Sequence, residues 1–403
     1  MKRSGSADLP LHGGHVPYWL SERMAKLGGA IIESLVYHYG NSEVLKRLSD
    51  PFWFQAFGAV LGMDWHSSGI TTSVMGALKK AVNPKSSDLG IYICGGKGKY
   101  SRNTPDELLK ISEKQGLNAK DLIRSSRLTA RIDNNAIQDG FQLYLHSFIV
   151  TKTGEWAVVQ QGMNEHNKMA RRYHWHSSSI KSFEEEPHTS IYGKNQGMIL
   201  NLTDKEAAPA RSGLLELTKE QPDIMMNEIK KLIMPLRHEL NVTDVNLKRL
   251  GSVLALAHET EVRNFEDLIL LKDLGPRTIQ SMTLVSEIIH GTPSRFKDPA
   301  RFSFAHGGKD GHPFPVLTKV YDETIDTLKT AVEKARLGSN EKDQAIKKLS
   351  QLSAEIEKEF IPNDNFDKII EEERNNAYKY GGMTVFGKSE KPKDKGSNQL
   401  SLF

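Results

Sequence analysis

The segment 140–164, "GFQLYLHSFIVTKTGEWAVVQQGMN", decides the fold class because it carries the pattern of a β-hairpin. Apolar and polar residues alternate on both sides of "TKTGEW", as expected for two strands joined by a short turn. The alternation predicts strands near residues 141–150 and 155–161. Before it, "LGIYICGGKGKYSRNTPDELLKISEKQG" predicts a buried strand, a glycine-rich loop and a helix that begins at Asn103 or Thr104. The N-terminal half therefore combines strands and helices.

Helical periodicity dominates the rest of the chain. Near the N-terminus, apolar residues recur at helical spacing at Leu20, Met24, Leu27, Ile31 and Leu35. From about residue 221 the pattern is helical only, and beyond residue 381 lysine, glycine, serine and asparagine dominate. We predict an α+β or α/β domain over residues 1–220, a helical module over 221–318, a pair of long helices over 319–380, and a disordered linker with a terminal peptide over 381–403.

Composition excludes several classes of protein. The 403 residues include 54 basic and 50 acidic residues, and a net charge of +4 neither requires nor excludes a nucleic-acid partner. The single cysteine, Cys94, excludes an internal disulfide and a thiolate metal cluster. No apolar run reaches the ~18 residues of a membrane span, and no apolar segment of a signal peptide follows the first residues. We expect a cytoplasmic protein.

One segment of the helical module, "FEDLILLKDLGPRTIQSMTLVSEII" (265–289), resembles a helix-hairpin-helix motif. The matching residues are Leu274, Gly275, Arg277 and Thr278. In that motif, backbone N–H groups at the turn and at the second helix's N-terminus bind a DNA phosphate. Asp273 stands where the motif usually has glycine, and its charge would repel a phosphate. The alternative is a hairpin of two helices that serves packing alone.

The chain ends in "QLSLF", which resembles the peptide by which many bacterial DNA-processing proteins bind the replicative sliding clamp. Gln399, Leu402 and Phe403 are the matching positions, and Leu400 lies between them. The resemblance implies the sliding clamp as a partner and a nucleoid-associated location. Alternatively, the tail folds back onto its own domain or has no function.

Several polar stretches of the N-terminal half carry a wider resemblance. They include "LGMDWHSSG", "GGKGKYSRNTP", "DNNAIQDGFQLYLHSF", "ARRYHWHS", "EEPHTSI" and "FAHGGKDGHPFPV". Across nearly all of residues 4–318 the chain resembles the prokaryotic family called domain of unknown function 763. This resemblance implies no catalytic residues, so any chemistry has to be argued from residue types.

Basic and histidine side chains in these stretches suggest contact with phosphate. The loop "CGGKGKYSR" presents Lys97, Lys99 and Arg102 among glycine amides. The stretch "ARRYHWHS" supplies further candidates, and its two histidines share one face if the segment is extended. We assign Arg171 and Arg172 to phosphate binding, and His66, His174 and His176 to catalysis together with Asp139. The alternatives are a solvated basic loop and histidines buried in a core.

A divalent metal, Mg²⁺ or Mn²⁺, would need carboxylate ligands, for which Asp64, Asp133 and Asp139 are the candidates. Asp139 and Gln161 loosely resemble the restriction-enzyme nuclease core, but Met163 stands where that core has lysine. We expect Asp139, His66 and His174 in one pocket walled by Lys97 and Arg172. The loop with His306, Lys309, Asp310 and His312 either folds over this site or only connects helices.

Three functions compete. The first hypothesis is a clamp-tethered, structure-directed and metal-dependent DNA nuclease of repair or replication. The second is a DNA-binding repair factor without enzymatic activity. The third is a DNA glycosylase whose catalytic acid is Asp298, which lies about 20 residues beyond the hairpin turn, the distance expected in that family.

Overall fold

The computed structural model describes residues 16, 18–63, 68–166, 168–229, 247–300, 318–334, 345, 383–384 and 387–388. Its centre is a five-stranded sheet with the strand order β1-β2-β3-β4-β5, in which all neighbours are antiparallel. The strands are β1 (Ile91–Lys97), β2 (Gln142–Thr151), β3 (Trp156–Asn164), β4 (Met169–His176) and β5 (Ser190–Tyr192). The predicted hairpin is confirmed as β2 and β3, and the antiparallel sheet makes the fold α+β.

Helices surround the sheet. Before β1 the chain forms α1 (Tyr18–Ser49), α2 (Pro51–Val60), α3 (Gly69–Val82) and α4 (Ser86–Leu89). Between β1 and β2 lie α5 (Thr104–Gln115), α6 (Ala119–Arg131) and a π-helical turn (Ile132–Ala136). After β5 come α7 (Ala208–Lys219), α8 (Pro222–Ile229), α9 (Leu247–Glu259), α10 (Phe265–Leu270), α11 (Pro276–His290) and α12 (Thr318–Lys334), and then a small ribbon of β6 (Met383–Thr384) and β7 (Gly387–Lys388). None of the helices described here is long and apolar enough to span a membrane.

One face of the sheet is covered by α1, α2, α3 and α12. Ile149 and Val159 of the sheet share this core with Phe54 and Phe57 of α2 and with Val332 of α12. Asp50 fixes the start of α2, because its carboxylate accepts hydrogen bonds from the N–H groups of Phe52 and Trp53, both at 2.8 Å. The helices bury this face completely, so polar side chains on it are enclosed in protein.

The other face is covered by α5, α6, the π-helical turn and the helices that follow β5. Phe148 and Trp175 of the sheet pack in one core with Leu128 of α6, Leu214 of α7 and Phe265 of α10. Helices from beyond residue 221 therefore share a core with the strands. Both faces of the central strands are buried, which is why β4 has no solvent-exposed side.

The end of β1 requires a glycine. Gly95 has φ +80°, and a Cβ there would lie 2.3 Å from the carbonyl oxygen of His146 on β2. Its N–H donates to Glu107 of α5 at 2.6 Å, and its carbonyl accepts from Lys79 of α3 at 2.8 Å. These contacts fix the end of β1, and the loop Gly98–Asn103 follows directly after it.

Candidate functional site

The turn between α10 and α11 is tied firmly to the body of the protein. Asp273 adopts a left-handed conformation, with φ +65°, at the position where the motif usually has glycine. The carbonyl oxygen of the buried Leu274 accepts hydrogen bonds from Arg131 Nη1 at 2.9 Å and Asn135 Nδ2 at 3.0 Å. The carbonyl of Pro276 accepts from Gln138 Nε2 at 3.1 Å. The turn thus has a fixed orientation relative to the sheet.

Gly275, at the start of α11, is not explained by the fold itself. Its φ of −105° is open to any residue, and a Cβ there would meet only the Arg249 guanidinium, at 3.3 Å. Within the described residues, the N–H groups of Gly275 and Arg277 have no hydrogen-bond partner. The N-terminus of this 15-residue helix therefore offers free donors beside an exposed arginine.

Basic side chains continue from this turn across one end of the sheet. The N–H of Leu143, near the start of β2, donates to Asn134 beside the turn, and Leu145 two residues later pairs with Lys97 at the end of β1. The turn between α10 and α11 and the loop after β1 therefore lie at the same end of the sheet. We use the name basic surface for the basic residues of these neighbouring elements, all exposed except the half-buried Arg131: Lys97, Lys99 and Arg102 at and after the end of β1, Arg127 and Arg131 on α6, and Arg277 at the start of α11.

Arg171 does not belong to this surface, because its side chain is buried completely in an ion-pair network. It donates bidentately to Asp298, at 3.0 and 2.6 Å, and to Asp139 Oδ2 at 2.9 Å. Burial alone would lower the pKa of Arg171, but the carboxylates of Asp139 and Asp298 raise it above its ordinary value. The predicted phosphate contact by Arg171 is not possible in this conformation, because the guanidinium is buried and both of its Nη groups are hydrogen-bonded within the chain.

Asp139 accepts two further hydrogen bonds, from the Tyr173 hydroxyl at 2.7 Å and the Phe141 N–H at 3.0 Å. Burial raises the pKa of Asp139 to about 6, although Arg171 opposes the shift. This carboxylate is therefore a buried anchor for Arg171 and Tyr173, enclosed by its own chain.

Arg172 and His174 lie on the opposite face of the sheet. Arg172 donates to His174 Nε2 at 2.9 Å and to Gln55 at 2.8 Å, and His174 Nδ1 donates to the Leu48 carbonyl at 3.1 Å. Burial lowers the pKa of Arg172 to about 10, and burial together with Arg172 holds the pKa of His174 well below its usual range. Both side chains are inaccessible, so Arg172 does not contact a phosphate in this conformation.

The expected convergence of Asp139 and His174 is wrong. Successive residues of a strand point to opposite faces, so the sheet separates Arg171 and its partner Asp139 from Arg172 and His174. The sequence indicated this alternation but not which helices cover each face. His176 lies farther along β4, where it contacts Ser178 and approaches Glu155 to 3.7 Å.

Asp133 shares a face with Asp139 but has partners of its own. It accepts hydrogen bonds from Trp175 Nε1 at 3.0 Å, from Gln160 and from His188 Nε2. In the part of the chain that the structure describes, no group of three or more His, Cys, Asp or Glu side chains is arranged to hold a metal. Asp64 and His66, the loop with His306 to His312, and the terminal peptide at Gln399, Leu400, Leu402 and Phe403 lie outside the described residues.

Asp298 does not have the environment of a catalytic acid. Besides Arg171, it accepts hydrogen bonds from the N–H groups of Gln196 at 2.5 Å and Ala300 at 2.8 Å. A carboxylate with all its oxygen lone pairs engaged has a structural role. The glycosylase interpretation loses its candidate residue.

The sequence analysis missed a cavity of about 280 Å³ beside β5, which we call the β5 cavity; its lining is mainly apolar and includes several polar side chains. Its wall includes His188, Ser190, Asn201, Asp204, Lys297 and Asp298. His188 lies in "EEPHTSI", but no spacing in that stretch marks it, because its partner Asp133 is 55 residues away. Only the folded chain brings the pair together.

Comparisons with known proteins identify a family without assigning a role. A family model described as a protein of unknown function (DUF763) matches residues 5–316. No curated protein and no solved structure matches the chain.

Proposed function

The chain belongs to this family of unknown function, and we propose from its own residues that it is a DNA-binding protein that contacts backbone phosphates through the turn between α10 and α11. The observation that carries the proposal is Gly275. Neither its backbone conformation nor internal packing requires a glycine, and the N–H groups of Gly275 and Arg277 have no hydrogen-bond partner within the described residues. A missing side chain at this point lets an external group approach the helix N-terminus closely.

The basic surface supports the proposal because it extends the same contact. Its residues come from the end of β1 and the loop after it, from α6 and from the start of α11, and the acidic residues of α10, Glu266 and Asp267, are engaged by Arg124 at 3.0 Å. The negative charge of Asp273 opposes phosphate binding at this turn. The backbone of Asp273 has a structural role, because its carbonyl oxygen accepts a hydrogen bond from Arg249 and its left-handed conformation forms the turn. Lysine and arginine along one face bind phosphates of any sequence.

The terminal peptide adds a proposed partner. Burying Leu402 and Phe403 in a pocket of the bacterial sliding clamp would contribute about 1.5–3 kcal/mol each before ordering costs. Binding of this strength suits a tether that raises the local concentration of DNA around the protein. We therefore place the protein in bacterial DNA repair or replication.

DNA cleavage with Mg²⁺ or Mn²⁺ is a weaker hypothesis than DNA binding. The acids that would hold the metal, Asp133 and Asp139, are already hydrogen-bonded within the chain, and the sheet separates Asp139 from His174. We therefore rank DNA binding, the second hypothesis of the sequence analysis, above the nuclease, which was the first. DNA cleavage is an additional activity to be tested on branched and nicked DNA.

Gly275→Val is expected to weaken DNA binding about tenfold, equally for duplexes of different sequence, because the new side chain blocks a phosphate from the helix N-terminus. Fluorescence anisotropy with labelled duplexes measures this loss. The variant is expected to fold, because valine tolerates the backbone conformation at 275 and the nearest atom belongs to the solvent-exposed guanidinium of Arg249 rather than to a core side chain.

Gly76→Val is the matched control. Gly76 is exposed on α3, and a Cβ there meets no atom within 4 Å. This variant is expected to bind DNA as the wild type does. A folded Gly275→Val protein with unchanged DNA affinity would show that the hairpin serves packing only.

A further inference from the structure

The wall of the β5 cavity includes His188, whose side chain is oriented by a hydrogen bond to Asp133. Its Nε2 bonds to Asp133, and because a carboxylate only accepts hydrogen bonds, Nε2 is the nitrogen that carries a proton in this contact. Trp175 packs against the imidazole with the ring centres 4.1 Å apart. In the described part of the chain Nδ1 has no hydrogen-bond partner and His188 belongs to the cavity wall, so in the tautomer protonated at Nε2 its Nδ1 is an unused acceptor.

Asn201 provides a donor in the same wall. Its Oδ1 accepts hydrogen bonds from the Thr203 N–H at 2.9 Å and hydroxyl at 2.8 Å, which assigns the amide orientation. Its Nδ2 has no partner among the residues that the structure describes. The buried hydroxyl of Ser190, also in the wall, lacks a partner as well. Unsatisfied polar groups in a cavity wall favour a ligand that bonds to them.

The charges around the cavity restrict the ligand. Three carboxylates and one lysine belong to the wall, but Asp298 is paired with Arg171 and Asp204 lies 3.8 Å from Arg295, so the wall has no strong excess of either charge. A wall without a strong excess of charge favours an uncharged heterocycle over an ion such as inorganic phosphate. The volume of about 280 Å³ lies just below the range of about 300–1,000 Å³ for drug-sized ligands, so it limits the ligand to a molecule of nucleobase or nucleoside size.

We propose that the β5 cavity binds a nucleobase that carries a ring N–H beside a carbonyl group, as thymine, uracil and guanine do. His188 Nδ1 accepts from the ring N–H, and Asn201 Nδ2 donates to the carbonyl oxygen. This site differs from the basic surface and does not depend on phosphate binding there. The base comes either from a free nucleoside or from a strand in which it is unstacked.

The test is a titration of the full chain with thymidine, deoxyguanosine, deoxyadenosine and deoxycytidine, followed by saturation-transfer NMR. Thymidine or deoxyguanosine is expected to bind more tightly than the other two. Asn201→Asp keeps the acceptor for Thr203 but replaces the donor, and is expected to weaken that binding at least about tenfold. Gln221→Glu also replaces a side-chain amide by a carboxylate, but at an exposed position outside the cavity wall. This variant is expected to bind like the wild type.

Competition with single-stranded oligo(dT) distinguishes the two sources. Displacement of thymidine identifies a base within a strand as the ligand, and thymidine binding without displacement identifies a free nucleoside. The proposal is overturned if no nucleoside and no oligonucleotide binds the cavity, if all four nucleosides bind equally, or if a folded Asn201→Asp protein binds unchanged. Anisotropy with duplex DNA, measured in parallel, reports separately on the basic surface.

Discussion

Asp298→Ala is expected to lower the free energy of unfolding by about 3–5 kcal/mol, because it leaves the buried Arg171 guanidinium without its bidentate partner. Both side chains of this pair are fully buried. Asp139 keeps one bond to Arg171, but the N–H groups of Gln196 and Ala300 also lose their acceptor. Urea denaturation followed by circular dichroism measures the change.

Two further variants separate the causes of this loss. Asp298→Asn retains hydrogen-bonding capacity without the charge and is expected to fall between the wild type and the alanine variant. Asp223→Ala removes an exposed carboxylate from the first turn of α8 and should change the free energy of unfolding by no more than about 0.5 kcal/mol. A loss below about 1 kcal/mol for Asp298→Ala would show that the network contributes little to stability.

Deletion of residues 399–403 is expected to abolish binding to the bacterial sliding clamp. Removing two apolar anchors worth about 1.5–3 kcal/mol each corresponds to a loss of affinity of about a hundredfold or more. Co-elution of the purified protein with the clamp, and surface plasmon resonance, measure the loss. DNA affinity is expected to stay the same, because the basic surface lies elsewhere in the chain.

A point variant sharpens this test. Phe403→Ala is expected to lose most of the clamp affinity, whereas Ser401→Ala, at a position that carries no part of the resemblance, is expected to retain it. Clamp binding by the truncated protein at the wild-type level would contradict the assignment of the terminal peptide.

The antiparallel hairpin could be predicted because β2 and β3 follow each other in the chain and their alternation is local. The left-handed backbone of Asp273 likewise lies at a single turn position, the one where the motif usually has glycine. Local sequence patterns therefore predicted those features that are formed by residues close together in the chain.

The candidate site could not be predicted in the same way. The alternation in "ARRYHWHS" indicates that Arg171 and Arg172 point in opposite directions, but both faces of β4 are buried under helices from distant parts of the chain. Polar residues on a strand suggested an exposed, reactive side, whereas here they form internal ion pairs and hydrogen bonds. The pairing of Asp133 with His188 depends on packing between elements far apart in sequence, which no local spacing reports.

The salt dependence of DNA binding tests the central claim most directly. Anisotropy titrations of a duplex between about 50 and 300 mM KCl should give a log affinity that falls linearly with log salt concentration, with a slope of about −0.9 for each phosphate contacted. Arg277→Gln is expected to reduce that slope by about one contact without changing sequence preference. Absence of DNA binding at low salt, or an affinity independent of salt and of Arg277, would contradict the account.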